Sequence, residues 1–316
     1  MRKILVIGTG GTISCAETEN GLTPAVSAAE LVKGVGVPVE LYTEQLFELD
    51  STNMTPRHRE ALARRIRERY DEFDGFVVTH GTDTMAYAAS ELACLIQNSR
   101  KPVVLTGSMK PMLMKNSDAP KNLADAVRFA ADERAFGVRV VFGGLIFDGR
   151  SVSKRESDFF SPFDSMNLDA PEEYDVNSGE IVFKEKSRGK TRFYERLSDG
   201  VFLAKLIPGQ ALTLPESAGA VILEGYGLGG VPEYLLNAVE RLVKRGAYVI
   251  IATQCRYGGT QLRRYEVGRA AAERFSLLET GKMTVEYAVA RARWALEYSN
   301  GFEEFRELFC DPDFYR

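Results

Sequence analysis

The alternation of apolar and polar stretches along the first half of the chain predicts strands and helices in turn. Short apolar or β-branched runs predict strands at residues 3–7, 39–42, 75–79, 102–106 and 138–142. Because these runs are continuously apolar, the strands are expected to be buried on both faces. Helix starts lie between them, with a capping box at Ser27 and Glu30 and a cap followed by proline at Thr55 and Pro56. Helical patterns cover residues 56–70 and 85–97. The alternation predicts a mainly parallel sheet flanked by helices.

A second, smaller α/β unit is expected in the last third of the chain. Strands are predicted at residues 201–205, 220–223 and 247–253, and helices at residues 232–245, 284–298 and 302–309. Residues 184–200 are charged and lack apolar periodicity, which is typical of a linker. The predicted organisation is therefore an N-terminal domain over residues 1–183, a linker over 184–200 and a C-terminal α/β domain over 201–316.

Composition and charge narrow the classes of protein to consider. With 316 residues, 45% of them hydrophobic and 27% charged, the chain is long enough for two cores. Its net charge is −4 and its basic residues are scattered, so nucleic acid is not expected as a partner. No apolar run is long enough for a signal-peptide core or a membrane span, which predicts a cytoplasmic protein with no membrane contact.

The four cysteines and two histidines limit the available chemistry. The cysteines are widely spaced, which favours free thiols over a zinc site or a disulfide framework. With only His58 and His80, a histidine-rich metal site is excluded, and no metal or cofactor is expected. His58 is expected at the surface of its helix, and His80 as a packed support for its loop.

Four polar segments follow predicted strands, at residues 8–12, 50–52, 79–84 and 106–108. In open α/β sheets, reactive groups gather beyond the carboxyl ends of the strands. The glycines before Thr12 lack the third glycine of a dinucleotide loop and the lysine of a phosphate loop. From spacing alone, a structural turn is the more frequent interpretation, although such glycines can also expose backbone N–H groups to an oxyanion.

The segment 80–84 places Asp83 beside hydroxyl groups just before a predicted helix. Either Asp83 or Thr84 could simply cap that helix, and a functional role is an equal alternative. A hydroxyl nucleophile needs a base, and a lysine with a lowered pKa can serve where histidine is scarce. The residues alone leave many lysines as candidates.

Several segments together resemble the signature motifs of the bacterial and archaeal L-asparaginase/glutaminase family. They cover nearly the full chain and comprise residues 10–13 (GGTI), 79–87 (THGTDTMAY), 105–109 (LTGSM), 116–123, 148–154 and 223–230. The resemblance implies two α/β domains and hydrolysis of L-asparagine to L-aspartate and ammonia through an acyl-threonine intermediate, with glutaminase activity as a side reaction. It implies a homodimer or homotetramer and no cofactor.

Carried over by position, the resemblance assigns a role to each matching residue. Thr12 would be the nucleophile, and Thr82, Lys154 and Asp83 would form a hydroxyl–amine–carboxylate triad. The substrate would be held by Ser51, Thr52, Thr82 and Asp83. Ser108 lies in a third matched segment and is a further candidate.

Two departures from the family pattern concern the predicted site. Leu22 stands where family members generally carry a tyrosine on a mobile loop, so the neighbouring Thr23 is a candidate to substitute. The segment ending at Cys255 resembles the intracellular type I subgroup, some of whose members bind asparagine allosterically. Glu224 replaces an arginine of regulated members, so Cys255 is expected to be a buried small apolar residue. Glu266 is a candidate for completing a neighbouring subunit's site.

Two alternatives to an independent asparaginase remain. One is an amidase subunit that supplies ammonia to a partner, as in archaeal transfer-RNA amidotransferases; those subunits carry an extra N-terminal domain, for which the motif beginning at Gly8 is expected to leave no room. The other is a catalytically weak or silent amino-acid sensor, motivated by Leu22. One methylene in a pocket changes binding by only ~1–3 kcal/mol, so the preference between asparagine and glutamine does not follow from the motifs.

Overall fold

The computed structural model describes residues 1–19, 21–167, 172–173 and 189–312. Two compact units share them: Met1–Ser165 with Ala170–Glu195, and Met166–Asp169 with Arg196–Arg316. Part of the predicted linker, residues 184–188, lies outside the described residues, and the linker and domain boundaries stay predictions. No helix in the described ranges is long and apolar enough to cross a membrane.

The strands of the first unit include all five that the apolar pattern predicted. They are β1 (Lys3–Gly10), β2 (Cys15–Thr18), β3 (Gly21–Pro24), β4 (Glu40–Leu49), β5 (Gly75–Thr79), β6 (Ile96–Gln97), β7 (Pro102–Thr106), β8 (Gly137–Phe142), β9 (Leu145–Asp148), β10 (Val152–Lys154), β11 (Phe163–Ser165), β12 (Glu172–Glu173) and β13 (Arg192–Phe193). Its helices are α1 (Ala28–Leu31), α2 (Pro56–Arg69), α3 (Met85–Leu95) and α4 (Ala119–Ala131).

Within the described ranges, seven of these strands form one sheet in the order β12-β9-β8-β7-β5-β1-β4. The neighbours from β4 to β8 run parallel, and β9 pairs antiparallel with β8. Every residue of the central strands β5 and β7 is buried, which confirms the two-sided burial expected from their apolar runs. The parallel order brings the carboxyl ends of β1, β5 and β7 to one edge.

Local sequence signals explain where two of the helices begin. The Ser27 hydroxyl accepts the Glu30 N–H, and the Glu30 carboxylate accepts the Ser27 N–H, so the predicted capping box starts α1. At the start of α2, the Thr55 N–H donates to Nδ1 of His58 at 3.0 Å. Because Nδ1 accepts this bond, the hydrogen of a neutral His58 lies on Nε2.

Two predicted boundaries differ from the structure for reasons of long-range pairing. The helix expected over residues 85–97 ends at Leu95, because Ile96 and Gln97 pair with β13 from a distant part of the chain. The strand expected over residues 39–42 continues to Leu49 as the edge strand β4. Along β4 every third residue is exposed and the others are half-buried, so the strand has no continuous buried run beyond residue 42.

The second unit confirms the smaller α/β fold. Its strands are β14 (Val201–Lys205), β15 (Ala220–Gly225), β16 (Tyr248–Thr253) and β17 (Leu278–Glu279), all paired in parallel in that order. Its helices are α5 (Leu236–Lys244), α6 (Glu266–Phe275), α7 (Val285–Tyr298) and α8 (Phe302–Phe309). Apolar side chains of the strands pack against α5 and α6 to form its core.

Candidate active site

Three loops at the carboxyl edge of the large sheet are in close contact at two glycines. A Cβ atom on Gly11, after β1, would lie 2.2 Å from the Gly81 nitrogen, after β5. A Cβ on Gly81 would lie 2.5 Å from Oγ of Ser51, after β4. Both distances are shorter than real Cβ contacts, so only glycine allows this approach. The predicted convergence of these segments is therefore present.

Thr12 begins a short 3-10 turn directly after Gly11. Gly11 has φ 79° and ψ 176°, a backbone conformation that is essentially restricted to glycine. Thr12 is half-buried, and no described residue forms a hydrogen bond with its hydroxyl. The Ser14 hydroxyl donates to the Gly11 carbonyl at 2.9 Å and stabilises the turn. Thr12 is thus held at the sheet edge with its hydroxyl not engaged by any described residue.

Thr82 and Asp83, which follow Gly81, form a triad of side chains with Lys154. Nζ of Lys154 donates to Oγ1 of Thr82 at 2.9 Å and to Oδ1 of Asp83 at 2.6 Å. The side chain of Lys154 is only 16% exposed, whereas that of Asp83 is 59% exposed. The structure brings together the three residues that the resemblance grouped, and it selects Lys154 from the many lysines that the residues alone left open.

The position of Lys154 depends on the turn between β9 and β10. Burial opposes ionisation of Asp148, but the guanidinium groups of Arg139 and Arg150 outweigh it and hold the pKa of Asp148 below its usual range. The Ser90 hydroxyl of α3 donates to the Gly149 carbonyl at 3.0 Å. The turn is therefore anchored to both β8 and α3, and the β10–β11 hairpin presents Lys154 to Thr82.

The two predicted substrate-binding residues after β4 differ in exposure. Ser51 is 3% exposed and packs against Gly81, and its carbonyl accepts the Thr84 hydroxyl at 2.8 Å. Thr52 is exposed, and its hydroxyl donates to Asp50 at 2.9 Å. Thr84 is the N-cap residue of α3 but makes no side-chain capping bond. Its hydroxyl instead ties the segment 80–84 to the Ser51 loop.

A fourth loop, after β7, depends on Asp118, the N-cap residue of α4, and on Asn122 within α4, to which the sequence assigned no role. The Asp118 carboxylate accepts the backbone N–H groups of Met109 and Lys110. Asn122, 1% exposed, donates to the Gly107 carbonyl and accepts the Gly143 N–H, both at 3.0 Å. The clamp holds Ser108 buried, with its hydroxyl donating to the Lys110 carbonyl at 2.5 Å. Ser108 is thereby turned towards its own loop.

The segment that carries Leu22 forms a β-hairpin between β2 and β3. Leu22 is 49% exposed and lies opposite Glu17, while Thr23 is exposed and lies opposite Ala16. Successive strand residues point to opposite faces, so Leu22 and Thr23 face different sides of the hairpin. The carbonyl of Ser14, in the turn that begins at Thr12, anchors the far end of the hairpin by accepting the N–H groups of residues 25 and 26.

Two further candidates lie in the second unit. Cys255 is exposed, so the expectation of a buried apolar residue is wrong. The physical reason is that Gln254 occupies the inner position, where its amide donates to the carbonyls of Leu206 and Glu224. Glu266 is exposed at the start of α6. Neither belongs to the first unit, which holds the loops around Thr12.

The described residues contain no group of three or more His, Cys, Asp or Glu side chains arranged to hold a metal ion. The groups brought together around Thr12 and Thr82 include hydroxyls, the Lys154 amine, the Asp83 carboxylate and backbone N–H groups. Such a set suits attack by a hydroxyl on a carbonyl carbon, with an amine as proton acceptor and N–H groups for the developing oxyanion.

Family models match both units of the chain. The family model described as "Asparaginase, N-terminal" matches residues 3–188, and "Glutaminase/Asparaginase C-terminal domain" matches residues 202–309. The chain belongs to the asparaginase family. The resemblance stated from the motifs is thus confirmed across both units.

Among its relatives in this family, the L-asparaginase of Thermococcus kodakarensis is 38% identical, over 97% of this chain and 96% of that protein. The solved structure of the thermostable L-asparaginase from the same organism has a TM-score of 0.89 at 36% identity, covering 99% of this chain and 98% of that one. A glutamyl-tRNA(Gln) amidotransferase subunit of Pyrococcus abyssi is 32% identical, over 97% of this chain and 74% of that protein.

The glycine contact leads to a testable prediction for this asparaginase-family site. Gly11→Ala is expected to reduce the free energy of unfolding by about 3 kcal/mol, because its Cβ overlaps the Gly81 backbone in a conformation that alanine rarely adopts. Urea denaturation measures the change. The control is Gly34→Ala, at φ 87° with no atom within 4 Å of the added Cβ. Equal losses in the two variants would contradict a tight backbone contact.

Proposed function

We propose that this protein hydrolyses the side-chain amide of L-asparagine to L-aspartate and ammonia through an acyl-threonine intermediate. The observation that carries the proposal is the contact of the Lys154 amine with both Thr82 and Asp83 beside the Thr12 loop. A threonine hydroxyl is a weak nucleophile unless a base removes its proton. The triad supplies such a base where the loops leave a hydroxyl open.

In the proposed first step, Oγ1 of Thr12 forms a bond to the amide carbon. Its proton passes through Thr82 to the Lys154 amine, and Asp83 stabilises the positive charge on that amine. The carbonyl oxygen becomes an oxyanion, for which the glycine-loop N–H groups are suitable donors. The carbon–nitrogen bond then breaks as the amide nitrogen takes the proton from Lys154, so ammonia leaves and Lys154 can act as a base again.

In the second step, water attacks the acyl-threonine and releases aspartate. Lys154 accepts a proton from the water and returns it, through Thr82, to Oγ1 of Thr12 as the ester bond breaks, which restores the Thr12 hydroxyl. Ser51 and Asp83 are proposed to hold the α-carboxylate and α-amino groups of the substrate, with Thr52 next to them. Ser51 is suited to this task because its side chain lies against Gly81, the residue that precedes Thr82.

Several finer features belong to the same proposal. We expect glutamine to be a slower substrate than asparagine. We also expect the protein to form a homodimer or homotetramer in which Glu266 reaches the active site of a neighbouring subunit. The exposure of Glu266 is compatible with such a role. A cytoplasmic location stays a prediction. Thr23 is the candidate to replace the hydroxyl that Leu22 lacks.

Ammonia release from L-asparagine by the purified protein tests the proposal, with L-glutamine and D-asparagine as parallel substrates. Turnover of L-asparagine is expected. Calorimetry that shows asparagine binding without turnover would instead support the amino-acid sensor. Turnover only when a second protein copurifies in equal amount would support the amidotransferase role, to which the 32% identity to the Pyrococcus abyssi amidotransferase protein gives some weight.

A further inference from the structure

His80 is fully buried directly after β5, one residue before the glycine that contacts the Thr12 loop. Its Nδ1 lies 2.7 Å from the Gly81 carbonyl oxygen. A carbonyl oxygen only accepts hydrogen bonds, so Nδ1 carries the hydrogen and donates it. In the described part of the chain, Nε2 is buried without a hydrogen-bond partner.

The imidazole is held in its neutral form. Burial lowers the pKa of His80 to about 4, with the bond to Gly81 opposing the shift and the positive charge of Arg59 adding to it. Arg59 is itself buried and pairs with the buried Glu91 at 3.2 Å. A neutral ring with the hydrogen on Nδ1 is therefore the form that matches both the hydrogen bond and the surroundings.

The backbone of His80 is fixed independently of its side chain. Its N–H donates to the Thr106 carbonyl at 2.8 Å, and a Cβ on Gly107 would lie 2.3 Å from its carbonyl oxygen. His80 thus lies between Gly11, in the loop after β1, and Gly107, in the loop held by Asn122. The side chain adds one specific constraint, which acts on the Gly81 carbonyl.

That carbonyl belongs to the peptide group that links Gly81 to Thr82. Because a peptide group is planar and trans, fixing the Gly81 oxygen also fixes the direction of the Thr82 N–H on the opposite side. The Cα of Thr82 lies in the same plane, so the orientation of this peptide group also determines where the Thr82 hydroxyl meets Lys154. A phenylalanine would fill the same space without burying an unpartnered nitrogen, so packing alone does not explain a histidine here.

We propose that His80 is a positioning residue that, through the hydrogen on Nδ1, orients the Gly81–Thr82 peptide group and with it the Thr82 hydroxyl for reaction. The proposal rests on the proposed role of the Thr82, Lys154 and Asp83 triad. His80 does not touch substrate. It acts through the backbone, and its effect is expected on the rate of the chemical step.

Three substitutions of His80 distinguish the role of Nδ1 from that of Nε2. His80→Asn places an amide N–H near the position of Nδ1, His80→Gln places one near Nε2, and His80→Phe keeps only the bulk. We expect kcat to stay close to wild type in the asparagine variant. It should fall by about 10²-fold in the other two, with a smaller change in KM, because a small misplacement of reacting groups lowers the rate by this order.

His58→Asn is the matched control, since His58 caps α2 and lies outside the loops around Thr12. It should lower the melting temperature slightly and leave kcat unchanged. Folded His80→Phe protein with wild-type kcat would overturn the proposal. So would equal losses in the asparagine and glutamine variants, which would indicate packing alone.

A spectroscopic measurement keeps the proposal testable if these variants do not fold. Nitrogen-15 NMR of the wild-type imidazoles distinguishes the tautomers, and with only two histidines the assignment needs only His58→Asn. The hydrogen of His80 is expected on Nδ1 and that of His58 on Nε2. Hydrogen on Nε2 of His80, or a charged ring at pH 6, would refute the proposal. This result does not depend on turnover, so it stands apart from any failure of the asparaginase proposal.

Discussion

Lys154→Met is expected to lower kcat for L-asparagine by roughly 10³-fold, with a much smaller change in KM. The methionine side chain has similar length but cannot accept the proton that leaves the threonine hydroxyl. The fold should persist, because the ion pair that is lost involves an Asp83 carboxylate that is 59% exposed and therefore contributes little to stability. Steady-state ammonia release gives both constants.

The Lys154→Arg variant distinguishes the effect of the positive charge at this position from the effect of proton transfer. Arginine keeps a positive charge for Asp83 but stays protonated, so it cannot act as a base. Activity should therefore be as low as in the methionine variant. Lys244→Met, which removes an ion-paired lysine from the surface of α5, is the control and should match wild type. An active arginine variant would show that Lys154 serves only to hold Asp83 and Thr82.

Thr12→Val is expected to abolish turnover almost completely, by roughly 10⁴-fold in kcat, because it replaces the nucleophilic oxygen with a methyl group of similar size. Thr12→Ser keeps an oxygen and should retain measurable activity. Rapid quenching followed by mass spectrometry should detect an aspartyl adduct on the peptide that contains Thr12 in wild type and none in the valine variant.

The exposed Thr213 supplies the control for this substitution, since Thr213→Val makes the same chemical change outside the loops of the first unit. It should leave kcat and the adduct unchanged. An adduct on the peptide that contains Thr82, with activity surviving in Thr12→Val, would assign the first attack to Thr82. The Lys154 predictions would still stand in that case.

The sequence predicted the central strands well because their stability comes from burial that is visible in each run of residues. β5 and β7 begin and end at the predicted residues. The hairpin of β2 and β3 has no such apolar run, and it was not predicted. Its anchor is the Ser14 carbonyl, which receives two N–H groups from beyond the hairpin. Hydrogen bonds between backbone groups depend little on residue type, so they cannot be predicted from the amino-acid composition of a segment.

In the site, too, residues in local motifs were predicted, whereas contacts between distant segments were not. Position at strand ends and the family motifs together indicated Thr12, Thr82 and Asp83, and their segments do meet. Lys154 could not be selected from spacing alone, since 71 residues separate it from Asp83 and only the β10–β11 hairpin brings it there. The roles of Asn122 and of the His80 tautomer depend on hydrogen bonds between distant segments, which a single sequence does not display.

Because Gly11 and Gly81 are in direct contact, the spacing of their two loops does not depend on the side chains nearby. The distance between the Thr12 and Thr82 loops is set by main-chain atoms in van der Waals contact, and no side chain acts as a spacer. Residues of the β2–β3 hairpin, including Leu22, can therefore change during evolution or engineering without changing the spacing of these two loops. Selection for a new amide should retain both glycines and accumulate substitutions on the hairpin.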